Sequence, residues 1–559
     1  MTPRFLLPAV FLCAGSVAAF DQQGPDAATQ SELQARLGAT TAKVQVLAAN
    51  DLGMHCVDRE TSVYSILPPF NVIHAQALWR RNGLMPMVLD DTYIKLTYSA
   101  VPDLQSSRNS TSLNGKTDFW QNAAALFGAT LLPGESLTGF YMPGDAPVTG
   151  PQELPWSSTH NFFEAFGIPI TPIDDNGVEN AYPLMRISAV HRATGRVVGF
   201  QDIVVPVSAE TDCQNCHATG SMAAVDPGVT WSTETDLEIQ TKRNVLKLHD
   251  FEEGTTLEAN QPVLCASCHY SAALDLDGVG PIGEQLTNPT MSATMHGYHG
   301  ALTDAGGNPI FPSGSSAAAS CYQCHPGQNT QCHRGAMADG GIECFSCHGD
   351  MSAVGGNRTP WMDMPKCQSC HTGDAINHLT GSNLNFAADG IRLEQAWRTN
   401  DPTAVPIDAP ASRFKEEAGT LYRFSKGHGD LACTACHGSP HATWPIQPQY
   451  SNDNVAAYEV QGHTGTIIEC DSCHTTDMGN TMLGPHGMHP VGQSYFLNDH
   501  SQIADNNLGL CRPCHGTNLE GTVLSVAAKD RTLWDNRQNQ WRTFTKGEQV
   551  ACDKCHNTP

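Results

Sequence analysis

A cysteine and histidine pattern that recurs nine times constrains this chain more than any other feature of its sequence. Of the 21 cysteines, 18 fall in pairs spaced Cys-x-x-Cys, and every pair is followed directly by histidine. The nine copies occupy residues 213–217, 265–269, 321–325, 344–348, 367–371, 433–437, 470–474, 511–515 and 552–556. The later part of the chain must therefore fold around whatever these repeated motifs hold.

The spacing fits covalent haem attachment. Two thiols three residues apart can form thioethers with the two vinyl groups of one porphyrin, and the next imidazole can bind the iron. Structural zinc sites have no reason to place His after every pair, and a disulfide framework does not repeat one spacing. The sequence predicts nine haem c groups attached through Cys213, Cys216, Cys265, Cys268, Cys321, Cys324, Cys344, Cys347, Cys367, Cys370, Cys433, Cys436, Cys470, Cys473, Cys511, Cys514, Cys552 and Cys555. Their first axial ligands are His217, His269, His325, His348, His371, His437, His474, His515 and His556.

Each haem iron needs a second axial ligand from outside its own motif. Neutral imidazole is a common metal ligand, so we expect coordination by two histidines at most or all of the haems. The predicted second ligands are His249, His296, His299, His378, His428, His441, His463, His486, His489 and His500. His333, next to Cys332, is equally consistent with a structural role, and methionine is an alternative ligand.

The motif-rich region, with its segments 321–350 and 484–492, resembles multihaem c-type cytochromes of bacterial periplasmic and extracellular electron transfer. The resemblance implies a nonahaem protein that carries electrons along its haems and is an electron-transfer protein rather than an enzyme. Its expected partners are redox proteins, an extracellular acceptor or further copies of itself in a filament. The alternative is a multihaem oxidoreductase that reduces a small nitrogen or sulfur compound at one haem with an open distal site.

The first 19 residues are typical of a secretory signal peptide. Arg4 supplies the positive charge, residues 5–13 are apolar, and Val17 and Ala19 form a small-residue cleavage site. No later stretch has the about 20 apolar residues that span a bilayer, so we expect no transmembrane segment in the mature chain. We expect an exported protein of the periplasm, the outer cell surface or the extracellular space. The net charge of −25 argues against nucleic acid as a partner.

The sequence predicts a mainly β N-terminal domain over residues 20–207, most simply a sandwich, because β-branched and alternating runs recur there. The predicted strands are 43–48, 92–98, 184–191 and 197–207, the last two joined as a hairpin, with one short helix near 118–127. A loop-rich, partly helical haem domain follows, in two parts over residues 208–400 (haems 1 to 5) and 401–559 (haems 6 to 9), with a helix over 234–249. Haem is a large apolar disc, so its burial can replace much of a side-chain core there.

Two cysteines of the mature chain, Cys56 and Cys332, belong to no motif. In an oxidising compartment they could pair and join the N-terminal domain to the haem domain, or they could remain as two free thiols. Residues 51–56, which contain Asp51, Met54, His55 and Cys56, leave a third interpretation open, namely a metal site or a distal haem ligand.

Overall fold

The computed structural model describes most of the chain between residues 44 and 556. The described residues are 44–312 except 52 and 104, 317–339, 342–356, 420–440 and 455–556 except 517, with the single residues 35, 367 and 416. The predicted signal peptide, Cys370, His371, His378 and His441 lie outside the described residues.

Antiparallel strands dominate the N-terminal region. The strands are β1 (Val44–Asn50), β2 (His55–Cys56), β3 (Tyr64–Ser65), β4 (Phe70–Trp79), β5 (Met87–Val88), β6 (Ile94–Ala100), β7 (Gln152–Leu154), β8 (Trp156–Ser157), β9 (Phe162–Pro169), β10 (Leu184–His191), β11 (Val197–Val204) and β12 (Val207–Ser208). One sheet has the order β1-β4-β9-β8, with β5 also on β4, and the other has the order β11-β10-β6-β7. Neither sheet closes into a barrel in the described part of the chain.

One hydrophobic cluster contains side chains from both of these sheets. Ile73 and Phe163 reach it from the first sheet, and Leu96 and Ile187 reach it from the second. All four side chains are fully buried. The register that aligns them pairs Asn50 with Ile73 between β1 and β4, and Tyr98 with Ile187 between β6 and β10. The N-terminal region therefore has a substantial core made of its own side chains.

The predicted strands and the short helix are confirmed with small shifts at their ends. The predicted hairpin is present as β10 and β11, joined through a turn in which Gly195 has a φ of 68°. The helix is α1 (Phe119–Phe127). The sequence patterns did not predict β4 and β9. In β4 every residue is buried, including Asn71, His74 and Gln76, so polar side chains break the apolar pattern that usually marks a strand buried on both faces.

The later region contains few helices, and most of them are short. They are α2 (Gln214–His217), α3 (Leu237–Glu253), α4 (Met291–Gly300), α5 (Ala336–Asp339), α6 (Cys344–His348), α7 (Met351–Val354), α8 (Cys433–His437), α9 (Val455–Gln461), α10 (Ser494–Asp499), α11 (Ser501–Asn506) and α12 (Arg512–His515). Its strands are β13 (Val263–Leu264), β14 (Arg531–Asp535) and β15 (Gln540–Phe544). Single 3-10 turns lie at Glu258–Asn260, Cys265–Ser267, Ala272–Leu274, Gly283–Leu286, Ala317–Ala319, Cys321–Gln323, Tyr422–Phe424, His428–Asp430, Cys470–Ser472, Pro485–Gly487, Leu508–Leu510, Val523–Ser525 and Cys552–Lys554.

The predicted helix over 234–249 is confirmed as α3, displaced toward the C-terminus. Its start is set by Asp236, whose carboxylate accepts hydrogen bonds from the backbone N–H groups of Glu238 and Ile239. Such an N-cap satisfies amides that have no partner within the helix. Among the described residues, no helix is both long and apolar enough to cross a membrane.

The N-terminal sheets contact the later region at several places, two of which lie beside the second and sixth motifs. Near the second motif, β3 pairs with β13, and Lys242 on α3 forms an ion pair with Asp58 at 3.3 Å. Near the sixth motif, Leu47 and Leu78 pack against Leu431 and Ala435. The second contact covers the outer face of β4 and accounts for the burial of that strand on both faces.

Gln76 is the polar link in the contact with the sixth motif. Its amide donates to the backbone carbonyls of Asn161 at 2.8 Å and Asp430 at 3.0 Å, and it accepts from the backbone N–H of Ala432 at 2.9 Å. Gln76→Leu would leave these backbone groups without their partner. We expect it to lower the free energy of unfolding by about 2 kcal/mol.

Guanidinium chloride unfolding followed by far-ultraviolet circular dichroism checks this expectation. Gln121→Leu on α1 is the matched control, because the side chain of Gln121 is exposed to solvent. Equal unfolding midpoints for the two variants would contradict the role assigned to Gln76.

Candidate haem-binding sites

The eight Cys-x-x-Cys-His motifs that the structure describes in full each form a short helical turn, either α-helical or 3-10. In six of them the N–H of the histidine donates to the carbonyl of the first cysteine at 2.8–3.0 Å, namely at His217, His269, His325, His474, His515 and His556. The motifs at 344–348 and 433–437 lie on α6 and α8. One helical turn brings positions i, i+3 and i+4 to the same side. Each described motif can therefore present two sulfurs and one imidazole together.

Seven motif histidines each lie beside one histidine from another part of the chain. The pairs and the distances between their ring centroids are His217 and His299 (6.3 Å), His269 and His249 (6.5 Å), His325 and His296 (5.7 Å), His437 and His486 (5.8 Å), His474 and His428 (6.0 Å), His515 and His489 (6.3 Å), and His556 and His500 (5.9 Å). The structure thus brings seven predicted second ligands next to seven predicted first ligands.

The separation of these rings fits a metal ion held between them. A metal to imidazole bond is about 2 Å long, so an ion between two rings separates the bound nitrogens by about 4 Å. In the pair of His296 and His325, the Nε2 atoms are 3.5 Å apart while the centroids are 5.7 Å apart. The other six pairs have centroids 5.8–6.5 Å apart, slightly wider than this pair. The residues present therefore fit the haem group that the motifs imply.

Hydrogen bonds at the Nδ1 atoms prepare many of these rings for metal binding. A backbone carbonyl can only accept, so an Nδ1 atom bonded to it carries the proton, and Nε2 keeps its lone pair. Nδ1 atoms bonded in this way belong to His296 (Ser292 O, 2.8 Å), His299 (Met295 O, 2.7 Å), His269 (Pro289 O, 2.9 Å), His489 (Pro490 O, 3.1 Å), His500 (Leu497 O, 2.9 Å) and His515 (Val550 O, 2.8 Å).

Burial favours the neutral form of these imidazoles. It lowers the pKa of His217 and the pKa of His489 to about 4. It also lowers the pKa values of His428, His474 and His515. A ring that is neutral at neutral pH keeps a nitrogen lone pair available, which is the form in which histidine binds a metal ion.

Helix α4 supplies the partner rings of two motifs. His296 and His299 are three residues apart, so they lie on one side of the helix. His296 lies beside His325 and His299 lies beside His217. The helix starts at Thr290, whose hydroxyl accepts a hydrogen bond from the N–H of Ala293 at 3.1 Å. One short helix thereby joins the first motif to the third.

A single turn supplies the partner rings of the sixth and eighth motifs. His486 lies in the Pro485–Gly487 turn with a φ of 55°, and His489 follows three residues later. Their neighbours are His437 and His515. His428, which precedes the sixth motif, lies instead beside the histidine of the seventh motif. These histidine contacts join different motifs of the later region.

Cysteine side chains from different motifs also come together. The thiol of Cys213 lies close enough to Cys324 to lower its own pKa, and the thiol of Cys321 lies similarly close to Cys344. Together these four side chains connect the first, third and fourth motifs.

In the later part of the chain, cysteine thiols of neighbouring motifs lie close to one another. Cys436 lies close enough to Cys473, and Cys511 to Cys552, for electrostatic interaction. The described motifs thus form neighbouring groups rather than isolated sites.

The structure places His463 differently from the prediction that it is a second ligand. Its Nδ1 atom bonds to the carbonyl of Thr464 at 2.8 Å, and its Nε2 atom bonds to Glu469 at 2.8 Å. Both ring nitrogens are thus engaged by the protein. Glu469 holds His463 in this position, and its carboxylate also accepts from Arg531. His333 is similarly engaged, with Nε2 bonded to the carbonyl of Ile342 at 2.6 Å.

The sequence analysis missed which histidine accompanies which motif. The spacing of His296 and His299 contains a signal, because two histidines three residues apart in a helix share a face. No comparable signal marks His428 or His486, whose partners depend on how distant loops pack. Among the described residues, no three His, Cys, Asp or Glu side chains converge to hold a metal ion, so the metal-site interpretation of residues 51–56 gains no support there.

In comparisons with known proteins, no family model, no curated protein and no solved structure matched this chain.

The carboxyl group of Glu469, next to the seventh motif, makes the stability of the folded protein depend on pH. Burial opposes its ionisation, but hydrogen bonds from Arg531 and His463 outweigh burial and lower the pKa of the carboxyl group. A lowered pKa in the folded state stabilises the protein above the pKa of the unfolded state, about 4.3, and this stabilisation disappears as the pH falls through the folded value.

We expect Glu469→Gln to lower the free energy of unfolding by about 2 kcal/mol at pH 7, because a neutral amide accepts weaker hydrogen bonds than a carboxylate. The difference from the wild-type chain should shrink below about pH 4. Denaturant midpoints at several pH values measure this, with Asp471→Asn at the neighbouring exposed carboxylate as control. A difference that does not vary with pH would contradict the ionised state of Glu469.

Proposed function

We propose that this chain is a multihaem c-type cytochrome that holds nine covalently bound haems and transfers electrons outside the cytoplasm. The observation that carries the proposal is the set of seven imidazole pairs, each joining a Cys-x-x-Cys-His motif to a second histidine. When bound, haem iron takes up and releases single electrons at a potential set by its axial ligands, its burial and nearby charges.

The paired rings favour electron transfer over the binding of a small substrate. At each of the seven sites, the two imidazoles of this chain would fill both axial positions of a bound iron. An enzyme that reduces a small nitrogen or sulfur compound needs an axial position that no side chain occupies. The contacts of His463 with Glu469 and Thr464 support a structural role for that residue rather than a role as ligand.

The contacts support an order of sites that differs from the order of the motifs, here numbered one to nine along the chain. Asn244 on α3, the helix that carries His249 of site two, donates to the carbonyl of His217 in site one at 2.8 Å. Helix α4 joins sites one and three, and Cys321 with Cys344 joins sites three and four. We propose the run of neighbouring sites two, one, three and four.

A second run follows from the later contacts. Tyr422 lies near Cys367 of site five and Cys433 of site six. The turn with His486 and His489 joins sites six and eight, and site nine lies beside site eight. Site seven borders site six through His428. We propose the run of sites five, six, eight and nine, with site seven beside site six.

We propose that the two N-terminal sheets form a sandwich that serves as a scaffold for both runs. The contact of β3 with β13 lies directly before Cys265 of site two. The contact of Leu47 and Leu78 with Ala435 lies within the motif of site six. One rigid domain that holds both sites would keep the two runs at a constant separation. The acidic composition of the chain favours partners with a positively charged surface.

The proposal predicts the haem content and the spin state of the purified protein. We expect the full-length chain, exported by cells that mature c-type cytochromes, to carry nine covalently bound haems. Two imidazoles per iron should make most of the ferric haem low-spin. Intact mass spectrometry counts the haems, and electron paramagnetic resonance reports the spin state. A chain without covalent haem, or a mainly high-spin protein that binds cyanide, would contradict the proposal.

Replacing a single predicted second ligand tests one site at a time. We expect His428→Ala to convert about one haem in nine to a high-spin form. The iron of site seven would then keep His474 as its only axial ligand from this chain. The haem count should not change, since no motif cysteine is altered. His463→Gln is the matched control and should leave the spin state as in the wild-type protein. The opposite result, with only the His463 variant becoming high-spin, would show that His463 is the ligand.

A further inference from the structure

The two cysteines that lie outside both the motifs and the predicted signal peptide are in segments that are bound to each other. Cys56 is in β2, whose parallel partner β12 sets Cys56 opposite Ser208. Cys332 lies between the third and fourth motifs. The chain therefore brings one of these cysteines from the N-terminal domain and the other from the haem-binding region.

Contacts on the N-terminal side of Cys332 fasten its segment to the N-terminal domain. Glu210, two residues beyond Ser208, accepts hydrogen bonds from the backbone N–H groups of Asn329 and Thr330, both at 2.8 Å. The hydroxyl of Tyr182 donates to the carbonyl of Thr330 at 2.6 Å. These bonds hold the chain two residues before Cys332.

A contact on the other side completes the attachment. The guanidinium group of Arg334 lies over the ring of Tyr182, 3.5 Å from its centroid. This cation–π contact holds the chain two residues after Cys332. Because both flanks are held, the position of Cys332 relative to the N-terminal domain is well determined.

The two thiols are close enough to influence each other. Removal of the Cys56 thiol from water and, to a smaller extent, the nearby Cys332 raise the pKa of Cys56 to about 12. Loss of water likewise raises the pKa of Cys332 to about 12. Thiols with such raised pKa values exchange slowly once they are covered, so a bond that had already formed between them would persist.

We propose that Cys56 and Cys332, which carry free thiols in this structure, form a structural disulfide in the exported protein. Each sulfur loses one proton and one electron as the S–S bond forms. The two electrons reduce the disulfide of a thiol–disulfide oxidoreductase or of a small-molecule disulfide to two thiols by exchange. The bond clamps the N-terminal domain to the connection between motifs three and four. This proposal does not depend on the proposed electron transfer, because no haem takes part in the oxidation.

Cys344 is the competing partner for Cys332, since the charge of Cys344 also acts on the Cys332 thiol. Cys344 belongs to a motif, and attachment of haem there would convert its sulfur to a thioether. A bond between Cys332 and Cys344 would exclude that attachment. The identity of the sulfur bonded to Cys332 therefore distinguishes a structural clamp from a mispaired motif.

Peptide mapping of the full-length exported chain without reductant tests the proposal directly and needs no variant. We expect one peptide pair, joined through Cys56 and Cys332, that separates on reduction. Alkylation of the denatured, unreduced chain should label neither cysteine, and labelling after reduction should reach both. Full labelling of both without reductant, or a peptide pair joining Cys332 to Cys344, would overturn the proposal.

A matched pair of variants gives an independent measurement. In Cys332→Ser, the Cys56 side chain should become fully open to alkylation under denaturing conditions without reductant. In Cys56→Ser, the same should hold for Cys332. If Cys56 stayed protected in the first variant, another partner would hold it and the proposed bond would be excluded.

Discussion

The arrangement of this protein depends on the pairing of two imidazoles from distant parts of the chain. One ring of each pair is presented by a short helical turn, and the other arrives from a separate segment, as with His437 and His486. A metal ion between the two rings would turn each pair into a cross-link, so that metal binding and folding are coupled. Bound cofactor would then stabilise the short helices and single turns of the later region, whereas long strands stabilise the N-terminal region.

Different interactions stabilise the N-terminal region and the later region of the chain. The N-terminal sheets share a hydrophobic cluster in which Ile73, Leu96 and Ile187 are fully buried. In the later region, the described contacts are dominated by motif turns, imidazole pairs and hydrogen bonds from loops. The segment around Gln76 joins the two, because a side chain of the β-rich domain bonds the backbone directly before the sixth motif.

Local patterns predicted local structure well in this chain. The hairpin of β10 and β11 and the helix α3 were visible because alternation and helical periodicity extend over several residues. Strand β4 was not visible, since His74 and Gln76 are buried in it through partners that come from elsewhere in the chain. Counting histidines predicts His463 as a ligand, but a count contains no information about Glu469, which binds that ring in the folded structure.

The sequence by itself determined where the repeated sites lie, because the spacing of two cysteines and one histidine is a covalent property of the chain. It also identified which histidines remained for the second position. Only the tertiary structure decided which of them meet, since His299 reaches His217 and His486 reaches His437 through the packing of segments far apart in sequence. Residue order limits which contacts are local, whereas the closure of long loops selects the contacts between distant residues.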